Sequence, residues 1–303
     1  ALTIAGERAS QEFVERIRAD LGLNDPIWVQ YIDFLGKVAR FNFGESYVIN
    51  RNTTVREIMA NTLPVTLELA LYGQLFGVLF GIPLGVLSAV KQDTLTDHAT
   101  RVGALAGISV PIFWSGPLLI LLFAQVLGVL PTSGRISSVY NVAAIRTTGM
   151  VTVDTLIAGE WEMFRSAVRH MFLPSIVIGV YSTALISRMM RSSMLEVVRQ
   201  DYMRTARAKG QGAKITVLKH GFRNALIPVV TIIGIQFGGL LGGAVLTETV
   251  FAIGGIGTLL VEAIRVGDYP IVQGTVLTFA LLFTLVNLAV DVTYSYLDPR
   301  IQQ

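Results

Sequence analysis

The sequence has no cysteine and only three histidines, and charged side chains make up 15% of its 303 residues. Without cysteine there can be no disulfide framework, no thiolate metal site and no thiol nucleophile. His98, His170 and His220 stand far apart, no HExxH or related ligand spacing occurs, and no metal site is expected. No nucleophile elbow or Ser-His-Asp order stands out, so no catalytic residues are assigned. The phosphate-cradling pattern G-x-x-x-x-G-K-[ST] is also missing, and the chain itself is expected to bind no nucleotide and no other cofactor. A soluble domain carries about 25% charged residues, so this chain has too little charge to cover a globular surface in water.

Apolar residues are what it has in quantity: 52% are hydrophobic, with 29 glycines and a mean hydropathy of +0.59. After a polar stretch over residues 1–61, with seven Lys/Arg and eight Asp/Glu, come five long apolar runs: Val65–Val90, Val102–Leu130, Leu173–Met190, Leu226–Phe251 and Ile271–Leu297. A helix needs about 20 residues to cross the hydrocarbon of a bilayer, and strands are far shorter than these runs. The expectation is an all-α polytopic membrane protein: an external segment 1–61, then a transmembrane domain 62–303. Within the first part, Gln11–Leu21 reads as a short amphipathic helix, and Asp25-Pro26 as an N-cap with proline at the first position of a helix Ile27–Arg40.

Residues 188–225 hold nine Lys/Arg against two acids, Glu196 and Asp201. The positive-inside rule places this loop in the cytoplasm. Alternation puts 91–101 and the tail inside, with 1–61, 131–171 and 251–271 outside. The pI near 9.2 is thus a topology signal, and no nucleic-acid partner is expected because no aromatic or RNA-binding pattern accompanies the charge. An external N-terminal segment must be carried across, which predicts a further helix upstream of Ala1 and six spans in all.

Gly73, Gly77, Gly81 and Gly85 recur every four residues, as do Gly234, Gly238 and Gly242. Such strips let a neighbouring backbone approach closely, within the chain or in a second, similar subunit. Pro83, Pro111 and Pro117 are expected to kink or open their spans, passively or along a pathway. Glu68, Glu248 and Asp291 are the acids within or at the ends of the spans. An intramembrane acid is a candidate for the translocation pathway unless water or a loop solvates it.

Met194–Pro228 is too polar to cross a bilayer and too patterned for a linker. Leu195, Val198, Tyr202 and Ala206 fall on one helical stripe, cations fill the other faces, Gly210 ends the helix, and a second helical turn follows around Lys214–His220. Such a helix suits a partner's groove or an anionic lipid surface.

The run Asp201-Tyr202-Met203-Arg204-Thr205-Ala206-Arg207-Ala208-Lys209-Gly210, followed by His220, Arg223-Asn224-Ala225 and Pro228, resembles the coupling loop of ABC importer permeases of the dipeptide/oligopeptide/nickel group. That family's pattern is Glu-Ala-Ala, three residues, then Gly. Arg204, Thr205 and Ala206 fill the first three places here, so the leading Glu is replaced. Ala5-Gly6-Glu7-Arg8, Leu21-Gly22-Leu23, Gly81-Ile82-Pro83-Leu84-Gly85, Pro111-Ile112-Phe113-Trp114, Arg191-Ser192-Ser193-Met194, Gly255-Ile256-Gly257, Asp268-Tyr269-Pro270 and Asp298-Pro299-Arg300 extend the likeness, which is greatest to the first permease subunit of dipeptide importers.

The resemblance implies a type I ABC importer fold in a bacterial or archaeal cytoplasmic membrane. It implies a second homologous permease as partner, two ATPase subunits carrying ATP and Mg, and an external substrate-binding protein. ATPase coupling would fall to Asp201, Tyr202, Arg204, Thr205, Ala206, Lys209 and Gly210. Glutathione, haem and nickel importers share these motifs. An ion-coupled secondary transporter using Asp291 or Glu68, or a passive channel, would have no need of the polar coupling helix.

Overall fold

The computed structural model describes residues 11–20, 22–212 and 215–297. The motif stretches Ala5–Arg8 and Asp298–Arg300, with Leu21 and Lys214, lie outside the described residues. Two short helices come first, α1 (Gln11–Asp20) and α2 (Ile27–Ala39). Pro26, with ψ 143°, caps α2 from outside, and the Asp25 side chain makes no capping bond. This corrects the expected cap by one residue: the Pro26 carbonyl accepts from Val29 and Gln30, and Gln30 Nε2 donates to the Asp25 carbonyl at 2.8 Å.

The long helix α3 (Val55–Val90) begins ten residues ahead of its apolar run. Thr54-Val55-Arg56-Glu57 explains the early start, because the Thr54 hydroxyl accepts from the Glu57 amide at 3.3 Å. At 1.5 Å per residue α3 is about 54 Å long and outreaches a bilayer core. Pro64 and Pro83 lie inside it without interrupting it. The second run is broken: α4 (Leu95–Ser109) meets α5 (Ile112–Leu119) and its π-helical extension Ile120–Val126 at 102°. The break falls at Val110-Pro111, where Val110 is extended as a residue before proline must be.

A loop with a short helix α6 (Val151–Ile157) then leads into α7 (Trp161–Val198), again longer than its apolar run. The helix α8 (Asp201–Ala208) projects at the far end. The chain returns through a π-helical turn, Thr216–Gly221, into α9 (Phe222–Gly243), then α10 (Val245–Val250), α11 (Ile256–Val266) and α12 (Tyr269–Leu297). The fourth apolar run is therefore two helices. Among the described residues four helices are long and apolar enough to cross a membrane, and the count rises to five if the bent pair is taken as one span.

The spine is α3 against α7. A methyl group at Gly73 would lie 2.7 Å from Ile178 Cγ2, one at Gly81 2.9 Å from Ile186 Cβ, and one at Gly85 2.6 Å from the Ser187 carbonyl oxygen; at Gly77 it would strike Ser182. The first strip is thus used inside this chain. The second divides: Gly234 and Gly238 receive Val290 and Phe283 of α12, while Gly242 faces open space. Val65, Leu69, Met171, Ile178, Leu240 and Phe251 form a core toward one end. Ile186, Met190, Met194, Ala225 and Val229 form another toward the α8 end. Beyond the first, Val55, Met59, Ile256 and Ile271 pack the loops.

Gly85→Ala presses a methyl onto a backbone carbonyl that cannot rotate away, whereas Gly239→Ala meets nothing within 4 Å. The first variant should lose about 1–3 kcal/mol of stability and the second almost none. Thermal unfolding of the detergent-solubilised protein measures both.

Candidate functional site

Every residue of the helix α8 is exposed except Met203 and Ala206. Its phase is set by a break rather than by the expected stripe. The helix α7 ends at Val198, Gln200 is extended at ψ 150°, and α8 starts afresh at Asp201. Leu195 and Val198 therefore do not continue into Tyr202 and Ala206, and the fully buried anchor of α8 is Met203. It lies beside Met194 against Gly221 of the π-helical turn. A second tie crosses from α9, where Asn224 Nδ2 donates to the Tyr202 hydroxyl at 3.0 Å. His220 Nε2 lies 2.9 Å from Gln211 Oε1, bracing the segment after the helix.

Asp201, Arg204, Thr205, Lys209 and Gly210 are exposed, Ala206 half-exposed. Arg204 reaches Asp201 at 3.8 Å, a solvated surface pair worth little to stability. The end of α8 is closed by Gly210 at φ +80°. Its amide donates to the Arg207 carbonyl at 3.0 Å and that of Gln211 to Ala206 at 3.3 Å, the paired bonds of a Schellman stop. The left-handed φ is why glycine stands here. The result is a rigid, basic, exposed projection on two anchors.

The three acids occupy three different settings. Glu68 is fully buried and accepts from the Thr152 amide at 2.7 Å, the Thr152 hydroxyl at 2.5 Å, the Val151 amide at 3.2 Å and Arg135 Nη2 at 2.9 Å. It ties α3 to the start of α6 and to the loop. Arg135 Nη2 also donates to the Gly149 carbonyl at 2.7 Å. Glu248, equally buried, accepts from the Thr66 hydroxyl and from the Thr258 amide at 2.9 Å, joining α3, α10 and α11. These are joints saturated with donors. Asp291 stands exposed on α12 with no hydrogen bond or ion pair among the described residues.

Other joints escaped the sequence reading. Arg191 grips Asp97 with Nε and Nη2, each at 2.7 Å, and the Ser88 hydroxyl donates to the same carboxylate at 2.5 Å. Asp268 accepts from the Ser46 hydroxyl at 2.6 Å and from the Val48 and Ile49 amides at 3.0 and 3.1 Å. Burial opposes the charge on Asp268, but the Ser46 hydroxyl and the amides of Ile49, Val48 and Tyr47 outweigh it and hold the carboxyl below its ordinary value. Asp154 is likewise lowered, with burial opposed by the amide and hydroxyl of Thr148 and the Gly149 amide. Position in a run gave no sign of these pairings. The aspartates stand just before or after helix starts, which is the one local signal.

A polar layer also went unforeseen. Gln74 of α3, Ser182 of α7 and Gln236 of α9 lie between the two apolar cores, and the Gln74 amide, the Ser182 hydroxyl and Gln236 Nε2 are buried with no hydrogen-bond partner among the described residues. A polar residue inside an apolar run carries no sign of its depth relative to two other helices.

A family model described as the binding-protein-dependent transport system inner membrane component matches residues 81–303. The chain is 43% identical over 302 residues to the dipeptide transport system permease protein DppB of Alkalihalophilus pseudofirmus, covering 100% of this chain and 90% of that one. It is 48% identical over 282 residues to the di/tripeptide transport system permease protein DppB of Pseudomonas aeruginosa, covering 93% and 83%. Among solved structures it is similar to an inward-facing form of the MetNI methionine ABC transporter, with TM-score 0.59, 18% identity and coverage of 80% of this chain and 97% of that one. The fold is that of a type I ABC importer transmembrane domain.

Removing Glu68 leaves Arg135 and two amides facing an empty site. Breaking a buried pair costs about 3–5 kcal/mol, so Glu68→Ala should loosen residues 131–160, while Glu68→Gln keeps an acceptor and is milder. Faster cleavage of that loop in Glu68→Ala under limited proteolysis is the expected outcome. Unchanged cleavage would show that Glu68 does not hold the loop.

Proposed function

Because the chain belongs to the binding-protein-dependent transport system inner membrane component family, we propose that it is one of two homologous permeases in an ATP-driven importer of dipeptides or short peptides. A multi-pass membrane protein of transport function follows from the family and the apolar helices. The peptide substrate rests on the relatives' names. In this reading the chain lies in the bacterial cytoplasmic membrane, with residues 1–61, 131–171 and 251–271 outside and 188–225 inside. An external binding protein delivers substrate, and two ATPase subunits holding ATP and Mg dock on the inner side.

The observation that carries the reading is α8: a short basic helix, nearly all of it exposed, yet fixed by Met203 and by the Tyr202–Asn224 bond. A projection with no role outside the chain would not need two anchors. Asp201, Tyr202, Arg204, Thr205, Ala206 and Lys209 present its contact face, and Gly210 sets where it stops. ATP closes the partner dimer, α8 carries the displacement through Met203 to the turn Thr216–Gly221, and α7 and α9 tilt between inward- and outward-open. ATP biases that equilibrium only as far as it binds the two states differently. The joints Glu68 and Glu248 travel with α3, while Gly242 faces open space where a second permease can approach.

The complete transporter in proteoliposomes should take up dipeptide only with ATP, and uptake should survive collapse of proton and sodium gradients. Uptake that follows an ion gradient, or continues without the ATPases, would overturn the proposal. Competition by glutathione, haem or nickel for the binding protein would reassign the substrate within the group.

In Gly210→Leu a side chain must adopt a left-handed conformation at a cost of about 1–2 kcal/mol. Uptake should fall roughly tenfold while ATP hydrolysis continues. Normal coupled uptake would show that the glycine stop is dispensable.

A further inference from the structure

A groove with two chemically different ends runs beside α4 where it leans on α3 and α7. Near the α8 end it opens as a pocket of about 330 Å³ lined by Ser88, Arg101, Ser187, Arg188, Arg191 and Ser192. Sharing Thr100, Ala104 and Ala184, it continues toward the middle of the bundle as a trough of about 500 Å³ walled by Phe76, Phe80, Leu84 and Val180. Ser88 and Phe76 are twelve residues apart on one helix, about 18 Å.

The charge at the polar end does not balance. Arg191 is spent on Asp97, which it holds at two points. Arg101 lies one turn further along α4 than Asp97. Arg188 lies one turn before Arg191 on the antiparallel α7. Both are therefore nearer the bilayer midplane than the ion pair, and the described ion pairs give neither of them a carboxylate. Unpaired guanidinium groups within a span are costly unless they reach the headgroup layer or an anion. Serine and threonine hydroxyls stand around them and apolar rings lie behind them. That combination suits a molecule with an anionic head and an aliphatic tail, and interhelical basic pockets on the cytoplasmic side are suited to acidic headgroups.

We propose that this groove is a binding site for an acidic glycerophospholipid of the inner leaflet. Its phosphodiester sits on Arg101 and Arg188 with the Ser192 hydroxyl as neutral donor, since those of Ser88, Ser187 and Thr100 already donate to Asp97 and to backbone carbonyls. One acyl chain lies along Leu84, Phe80 and Val180. A free phosphate shares the head chemistry but leaves the apolar trough unfilled. The assignment to the inner leaflet rests on the orientation proposed above; the site itself is read from lipid retention, which does not depend on transport.

The assembled transporter, purified in mild detergent, should carry phosphatidylglycerol in preference to phosphatidylethanolamine by native mass spectrometry. The double variant Arg101→Gln/Arg188→Gln should retain roughly thirtyfold less, about 1 kcal/mol for each cation removed. Arg101→Lys/Arg188→Lys, which keeps both charges, should retain most of it. In nanodiscs, phosphatidylglycerol should raise the unfolding temperature of the parent over that in phosphatidylcholine. The Gln variant should unfold alike in both, which separates a lost site from a failure to fold.

Equal retention by the Gln variant would overturn the proposal. Displacement by millimolar inorganic phosphate would make this a free-anion site, displacement by dipeptide a part of the substrate path, and no lipid at all a surface covered by the second permease; each would overturn it. Lipid retention without ATP-dependent uptake would leave this site standing and defeat the importer reading instead.

Discussion

Everything in the molecule leans on the approach of α3 to α7. Two helices can lie this close only if one presents no side chains along the contact, and Gly73, Gly77, Gly81 and Gly85 supply that bare face. In a bilayer the apolar surface of a helix gains little by leaving lipid for a neighbour, so dispersion across a close contact does what burial from water does elsewhere. With that pair fixed, α4 and α9 have a groove to settle on, and α12 joins through Gly234 and Gly238.

Polar chemistry is set around this spine as fastening. Glu68 and Thr66 leave the same turn of α3 in different directions, one to the α6 loop and the other, through Glu248, to α10 and α11. Asp97 with Arg191 fastens α4 to α7 at the opposite end. Each acid spends its oxygens on several donors, which is how charge persists in a dry interior. What remains exposed and ordered at the α8 end is the basic helix itself.

The parts of this design legible in sequence are those that depend on local periodicity. The apolar runs, the four-residue glycine spacing and the Gly210 stop each declare themselves within a few turns of chain. Helix ends were less legible, because α3 and α7 extend on capping and packing beyond their apolar runs. The break at Pro111 was visible as a proline, but not its 102° angle. The setting of the acids was half legible: a loop was expected as an alternative partner for Glu68, but not that residues more than sixty positions away, Arg135 and Thr152, would supply the donors. Met203 was missed because the stripe was counted through a helix break that resets its phase.

The layer of Gln74, Ser182 and Gln236 has a mechanical meaning. Above and below it, side chains interlock, and sliding one helix past another would pull those contacts apart together. Within it the Gln74 amide, the Ser182 hydroxyl and Gln236 Nε2 have no hydrogen-bond partner among the described residues. Because α3 and α7 run unbroken through this layer and Gly77 still meets Ser182 within it, the helices are held together there by close packing alone, without a polar tie.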